Sequence, residues 1–385
     1  MNSIQRKEAR YQRRKAARDE KRFAKSIACG NVDEIFSFRH LYLSGKKSAK
    51  NVRWKASTQK YLSNLIANTA SAKNGIAKGK FKHGNFYCFD IMERGKIRHI
   101  RSVHISERVI QKCLCDYCIV PVYSASFIYD NTASIKNKGM DFAMRRFVRH
   151  LKEHYQKYGT DGYVLFYDFH DYFNSASHEP LFAESARRIY DPRVRQISDD
   201  FIRDFKDCGL GLGSQVSQTN ALLLPSPLDH YCKEKLQIRG YGRYMDDGYL
   251  IHPNKEYLEK CRQEIQQKCA ALGIELNTRK TVILPLKQGV RFLKTKFTLT
   301  DTGKVYIRMR RKSTIVLRRK LRKFQAWIQD GTMGYDDLRS SYNSYLGHMK
   351  RGNSFKITEQ TNQYFKSLFG FYPNRKGWES VCMKS

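Results

Sequence analysis

Three acidic residues stand where two-metal phosphoryl transfer would need them. Tyr163 to Asp168 is a short apolar run that ends on a carboxylate. Far downstream, Gly242 to Ile251 sets two apolar arms around a polar centre that holds Asp246 and Asp247. That pattern predicts a hairpin with both acids at its tip. In-line displacement at phosphorus is accelerated by two divalent ions about 4 Å apart, and hard carboxylate oxygens are the ligands Mg²⁺ prefers. Asp168 and Asp246 can share such ions only if their strands pair in one sheet. Taken alone, an Asp-Asp pair is more often an ordinary turn, so the surroundings carry the weight.

Those surroundings read as mixed helix and strand. Phe86 to Val103 predicts a β-hairpin turning at Arg94-Gly95, where glycine tolerates positive φ. Alternation along its second strand puts Lys96, Arg98 and Ile100 on one face and Ile97, His99 and Arg101 on the other. A helix from about Ser106, its N-cap, to Tyr117 follows. Helices are also expected over Met140 to Tyr158, Ser198 to Cys208, Asn220 to Lys235 and Lys255 to Leu272. Pro225 and Pro227 disturb the third of these, and the glycine-rich stretch Gly209 to Ser214 must be a loop. Beyond Phe297 come a strand, Val305 to Met309, and helices over Lys312 to Trp327, Gly334 to Lys350 and Ile357 to Phe369. Leu321, Phe324 and Trp327 are expected to pack that last region, with Tyr342, Tyr345 and His348 on the next helix's packing face.

The chain has 385 residues and is 41% hydrophobic, enough to bury a substantial core. Its 72 Lys and Arg against 36 Asp and Glu leave a formal net charge of +36. Such an excess points to a polyanionic partner, with nucleic acid favoured over an anionic membrane surface. The basic stretches over residues 1–25 and Lys47 to Lys60 would grip a template backbone or form a solvated face. Cys113, Cys115 and Cys118 lack the second pair or the histidines of a zinc module and read as buried thiols. Met1 leads into charge rather than an apolar signal, and no apolar run is long enough to span a bilayer. The expectation is a reduced, cytoplasmic protein.

Tyr244-Met245-Asp246-Asp247 resembles the YxDD box of reverse transcriptases, and Tyr167-Asp168 through Phe173-Asn174-Ser175 resembles their first catalytic block. Lys96 to Gln111 is similar to their basic fingers hairpin and the helix after it. Leu276-Asn277 with Lys280-Thr281 resembles the block after the acids, and Arg291-Phe292-Leu293 the primer-grip turn. The blocks occur in family order. The resemblance implies an α+β right-hand polymerase fold, with an antiparallel palm sheet backed by helices. It divides the chain into a basic N-terminal extension and start of the fingers (1–85), fingers (86–160), palm with interleaved fingers elements and primer grip (161–297) and a basic helical thumb (298–385).

The resemblance also implies roles. Asp168, Asp246 and Asp247 would be catalytic and, with the backbone carbonyl of Phe169, would hold two Mg²⁺ ions, with Mn²⁺ as a substitute. Phe173 matches the aromatic gate against a ribonucleotide's 2′-hydroxyl, or is a plain core aromatic. Lys96, Arg98 and Arg101 match the cations that clasp the incoming triphosphate, uncertain by one strand position. Leu212, Gly213 and Gln218 would lie by the nucleotide. Phe292, Leu293 and Lys294 would form the primer grip. Lys280, Arg318, Arg319 and Arg322 would touch the template–primer backbone. The implied activity is RNA-directed DNA synthesis from a structured template RNA, with a cDNA primer and deoxynucleoside triphosphates.

Leu212-Gly213 stands where many of these enzymes carry Gln-Gly, and Ser217-Gln218 resembles the block of diversity-generating retroelement enzymes. That subgroup implies a small basic accessory protein. The other readings are an anti-phage defence reverse transcriptase and a catalytically inactive RNA-binding scaffold. Three departures stand out: Ser214 for the usual Asn, Gly248 for a larger apolar residue, and Lys294 for Gly in the primer-grip turn.

Overall fold

The computed structural model describes residues 3–93, 96–205 and 207–382. The chain forms two compact units: residues 1–143 with 165–283, and residues 144–164 with 284–385. The first contains the antiparallel hairpin of β1 (Phe86–Glu93) and β2 (Lys96–Val103), registered from Phe86 opposite Val103 to Glu93 opposite Lys96. The expected turn at Arg94-Gly95 lies outside the described residues, as do the side chains of Lys96 and Arg98.

The central sheet is built from β3 (Tyr163–Asp168), β4 (Gly240–Tyr244), β5 (Asp247–His252) and β6 (Val282–Pro285), in the order β4-β5-β3-β6. β4 and β5 form an antiparallel hairpin closed by Tyr244 opposite Asp247. Four consecutive residues of β5, Gly248 to Ile251, are buried. Such continuous burial is what a strand covered on both faces requires. Strand β3, expected from its apolar run, occupies the predicted residues and stands beside β5.

Helix ends follow local chemistry where the sequence reading placed them differently. The helix expected from Ser106 runs from Ile105 to Leu114, and its cap is His104, whose side chain accepts from the Ser106 N–H. It continues as a π-turn over Cys115–Ile119, in which the Val120 N–H reaches back to Cys115 O. Pro121, one residue on, has no N–H to donate, which loosens the regular ladder at this point. The helix expected over Ser198 to Cys208 is instead Pro192–Arg203. Asp191 caps it by accepting from the Arg193 and Val194 N–H groups, and Pro192 fits the first turn, where its missing donor costs nothing. Pro225 and Pro227 split the next helical stretch into Gln215–Leu223 and Ser226–His230, followed by a π-turn to Lys235.

The second unit carries the sheet β7 (Val290–Phe292), β8 (Thr295–Leu299) and β9 (Val305–Arg308), in that order. Four helices follow: Arg311–Gln329, Tyr335–Met349, Phe355–Phe369 and Arg375–Cys382. Their core includes Leu317, Leu321, Leu338, Tyr342, Tyr345, Phe365 and Trp378. The expectation for Trp327 fails, since it is 44% exposed and leans on Phe324 with ring centroids 5.8 Å apart. The apolar stripe runs through 317, 321, 324 and 328 and leaves position 327 beside it. The short helix that brings in Trp378 was not anticipated. Cys113, Cys115 and Cys118 are buried free thiols, as expected. Among the described residues, no helix is long and apolar enough to cross a membrane.

Leu293 and Lys294 connect β7 to β8 with φ of 46° and 65°. Two residues at positive φ are what a type I′ hairpin turn demands, and glycine meets that demand without strain. Lys294→Gly should therefore raise the stability of the chain by about 1 kcal/mol, read as a higher midpoint in thermal unfolding. An unchanged or lower midpoint would show that the lysine's surface interactions outweigh the relief.

Candidate active site

Asp168, Asp246 and Asp247 come together because β3 lies next to β5 in the sheet. The Phe169 N–H donates to the Asp246 carbonyl at 3.3 Å, tying the end of β3 to the hairpin turn. A second tie runs from the other side. Phe169 pairs antiparallel with Leu276, using the Asn277 N–H to Asp168 O at 2.8 Å and the His170 N–H to Glu275 O at 2.8 Å. That pairing leaves the Phe169 carbonyl out of the ladder.

The acids carry the electrostatic mark of crowding. Burial, the charges of Asp246 and Asp168, and a hydrogen bond with Asp168 push the Asp247 carboxyl up to about 7. Asp246 is raised as well, first by burial and then by the Asp168 charge. Lys280 answers part of this charge: its Nζ donates to both carboxylate oxygens of Asp168 at 2.8 Å. The ammonium is held above its ordinary value by Asp168 despite the opposing effect of burial. Lys280 was expected on the template–primer backbone, and the structure places it among the acids instead. Among the described residues no three His, Cys, Asp or Glu side chains form a ready-made metal cage. The donors still suit a hard cation, because a buried Asp168 and the half-buried Asp246 and Asp247 gather three carboxylates that the Lys280 ammonium offsets only in part.

The hairpin turn is held from beneath by residues the sequence reading did not single out. Arg243 and Asp229 have fully buried side chains and form a bidentate pair, Nε to Oδ1 at 2.7 Å and Nη2 to Oδ2 at 2.6 Å. The same guanidinium donates from Nη1 to Met245 O at 2.8 Å and from Nη2 to Leu222 O at 3.2 Å. Met245 sits at φ 57°, a costly conformation for a non-glycine residue. The Arg243 bond to its carbonyl fixes the turn on which Asp246 and Asp247 ride. Tyr241 donates to Asp229 Oδ1 at 2.6 Å, and its hydroxyl meets that of Tyr167 at 2.8 Å.

This network explains Gly248. A Cβ there would lie 2.1 Å from Cζ of the buried Tyr167 ring. The space that a larger residue would fill is taken by Tyr167, one position before Asp168. Ser214 has a similar account. Its hydroxyl caps helix Gln215–Leu223 by accepting from the Ser217 N–H at 3.2 Å and donates to Gln111 Oε1 at 3.0 Å.

Of the nucleotide-site candidates, Gly213 and Gln218 line one cavity of about 420 Å³ together with Arg108, Gln111 and Lys112. Gly213 has φ +113°, and a Cβ there would stand 3.1 Å from Arg101 O, so the loop lies directly against β2. Leu212 is half-buried in that loop. Phe173 is half-buried, and its carbonyl is fixed by the Leu210 N–H at 2.6 Å. Arg101 is engaged elsewhere, its Nη1 donating to Phe205 O at 2.6 Å.

In the second unit, Phe292, Leu293 and Lys294 make the β7–β8 turn. Arg318 and Arg322 both meet Tyr364, one over its ring and one through a 3.0 Å bond to its hydroxyl, whereas Arg319 is exposed.

Residues 80–297 match the family model described as reverse transcriptase (RNA-dependent DNA polymerase). The chain belongs to the reverse transcriptase family. No curated protein matches the chain. Among solved structures, apo telomerase from Candida tropicalis truncated from the C-terminal domain is 15% identical with a TM-score of 0.47, covering 63% of this chain and 60% of that one. Telomerase from Candida albicans in complex with the TWJ fragment of telomeric RNA is 11% identical with a TM-score of 0.45, covering 77% and 60%. Apo telomerase from Candida tropicalis is 13% identical with a TM-score of 0.46, covering 83% and 70%. The chain thus spans about 60% of the length of the first two telomerase chains. Membership of the reverse transcriptase family agrees with the mixed α+β architecture and with the order of the motif blocks.

Two outcomes test this geometry. In a double-mutant cycle, Gly248→Val alone should destabilise the chain by about 2 kcal/mol or more through overpacking, and adding Tyr167→Val should recover part of that loss. Strictly additive effects in denaturant unfolding would contradict the packing account. The second outcome concerns pH. A carboxyl whose pKa is raised on folding stabilises the folded state while protonated and loses that contribution as pH climbs from 3.8 to about 7. In chelator, Asp247→Asn should therefore unfold at a higher temperature than wild type at pH 8 and show a much smaller advantage at pH 5. Parallel pH curves for the two proteins would rule out crowding of the acids.

Proposed function

We propose that the chain is an RNA-directed DNA polymerase that copies a structured RNA into cDNA. The observation that carries this reading is the convergence of Asp168, Asp246 and Asp247 at the β3 end and the β4–β5 turn, inside a chain of the reverse transcriptase family. Two divalent ions bound there would activate a primer 3′-hydroxyl and stabilise the leaving oxygen. Asp168, Asp246 and Asp247 would hold them, with the Phe169 carbonyl as a further oxygen donor. Lys280 orients Asp168 by donating to both of its carboxylate oxygens. Phe173 serves as the aromatic gate against a 2′-hydroxyl, its backbone locked against Leu210. Lys96 and Arg98 are the cations proposed for the triphosphate, and Gly213 and Gln218 line the cavity proposed for the nucleotide.

The finer assignment we propose is a diversity-generating retroelement enzyme, with a small basic accessory protein as partner. Its support is Leu212-Gly213 followed by Ser217-Gln218 in the loop and helix bordering the cavity. An apolar residue at 212 removes a hydrogen-bond requirement near the nascent pair, and such a loss weakens discrimination. The division into fingers, palm and thumb accompanies this reading.

Primer extension on an RNA template tests both levels. Activity should require Mg²⁺ or Mn²⁺ and fall by at least about 10³-fold in Asp246→Ala, the scale expected when a transition-state electrostatic group is lost. Undiminished activity in that variant would remove Asp246 from the chemistry, and no extension by the wild type with either ion would leave an RNA-binding scaffold. For the finer level, errors at template adenines should be frequent in wild type and reduced in Leu212→Gln. Ordinary fidelity in both would point to a defence enzyme.

A further inference from the structure

We infer a phosphate-binding cavity in the first unit, separate from the three acids and lined by residues of the N-terminal helix Ser3–Ala28 and of the helices over residues 178–186, 226–230 and 255–271. It encloses about 600 Å³ and shares no lining residue with the acids, Lys280 or the Gly213 loop. That volume lies within the range of small-ligand sites. The ligand it suits is a phosphate monoester, carried by a free nucleotide or by the 5′ end of an RNA strand.

Charge is the first argument. Six Lys and Arg line the cavity against three Asp and Glu. Two of the arginines are buried residues, Arg22 at 5% exposure and Arg188 at 2%. Arg188 shares the Glu184 carboxylate with Arg187, so one acid answers two guanidinium groups. Arg22 pairs with Asp19 at 2.7 Å through Nη1 and reaches Ser126 O at 3.2 Å through Nη2. Its Nε–H is buried without an acceptor, as is that of Arg18, whose Nη1 is already answered by the Glu234 carboxylate at 2.7 Å. Burial and the neighbouring Arg188 charge pull Arg22 down to about 10, which still leaves it a cation at neutral pH. Buried, under-compensated arginines with unused donors are stabilised by an anion with several acceptor oxygens. Guanidinium geometry favours phosphate in that role.

Shape and polarity are the second argument. Pro180, Ala183, Leu228 and Leu272 supply apolar wall, and Tyr11 and Tyr231 add aromatic surface, so a nucleoside attached to the phosphate would also be accommodated. Lys15 stands at the cavity, half-buried, with no partner among the described residues. Lys268 is exposed and lies over the Tyr231 ring, 4.9 Å from its centroid. Both lysines can be altered without touching the buried arginines.

The test is binding to the full-length chain in chelator at physiological salt, where a cation-dependent polymerase site takes no nucleotide. The probes are adenosine 5′-monophosphate and a short RNA with either a 5′-phosphate or a 5′-hydroxyl. The inference expects saturable binding of the monophosphate, or a clear preference for the 5′-phosphorylated RNA over its twin. The first result identifies a nucleotide source and the second a strand end. Lys15→Glu with Lys268→Glu should weaken that binding by about tenfold. Reversal of the exposed Lys356 and Lys376 should leave the binding unchanged. Equal binding of the two RNAs with no saturable monophosphate binding would overturn the inference. So would a loss reproduced by the Lys356 and Lys376 reversal, because diffuse charge would then explain it.

Discussion

The buried pair of Arg243 and Asp229 is the interaction on which the rest of the site depends. Removing two full charges from water costs several kcal/mol per ion, and good geometry with further hydrogen bonds is needed to recover it. Arg243 satisfies that condition by spending its donors on Asp229, Met245 O and Leu222 O. Asp229 receives Tyr241 in addition. The pair therefore links the segment around residues 222–229, the strand β4 and the turn bearing the acids. A hydrophobic substitute of similar size could fill the space. It could not hold the Met245 carbonyl, and so could not fix the turn at its positive φ.

Rigid support is needed because the site above it is electrostatically unfavourable. Three carboxylates converge, and two of them are pushed toward protonation by burial and by the charge of Asp168, with Asp246 adding to the effect on Asp247. Left to relax, such groups would separate or draw in water. The Phe169–Asp246 and Asp168–Asn277 backbone bonds prevent the first, and Lys280 offsets one charge directly. Stability is thereby given up locally to keep hard oxygen donors in one place, a trade often found where function demands like charges. Tyr167 and Gly248 belong to the same support: the ring occupies the volume a β5 side chain would otherwise claim, and its hydroxyl joins the Tyr241–Asp229 chain.

Much of this was legible in residue order. Strand β3, the helix Met140–Tyr158 and the paired acids follow from apolar runs bounded by charge or glycine, signals that depend only on near neighbours. The helix ends that differ from the sequence expectation are those governed by a single cap: His104 is a rare N-cap type, and Asp191-Pro192 starts a helix several residues before its apolar periodicity becomes clear. Trp327 lies off the core because one aromatic near an apolar stripe is not on it unless its angular position agrees.

Sequence by itself determined the identity of the acids, the family-like order of the blocks and the excess positive charge, since each is a property of residue type and spacing. Only the tertiary structure decided that Lys280 sits on Asp168, that Arg243 anchors the turn, that Tyr167 excludes a side chain at 248 and that arginines crowd a second cavity. The reason is physical. Pairing across 112 residues, as between Asp168 and Lys280, leaves no periodic trace in the chain and arises only when burial removes water as the competing partner.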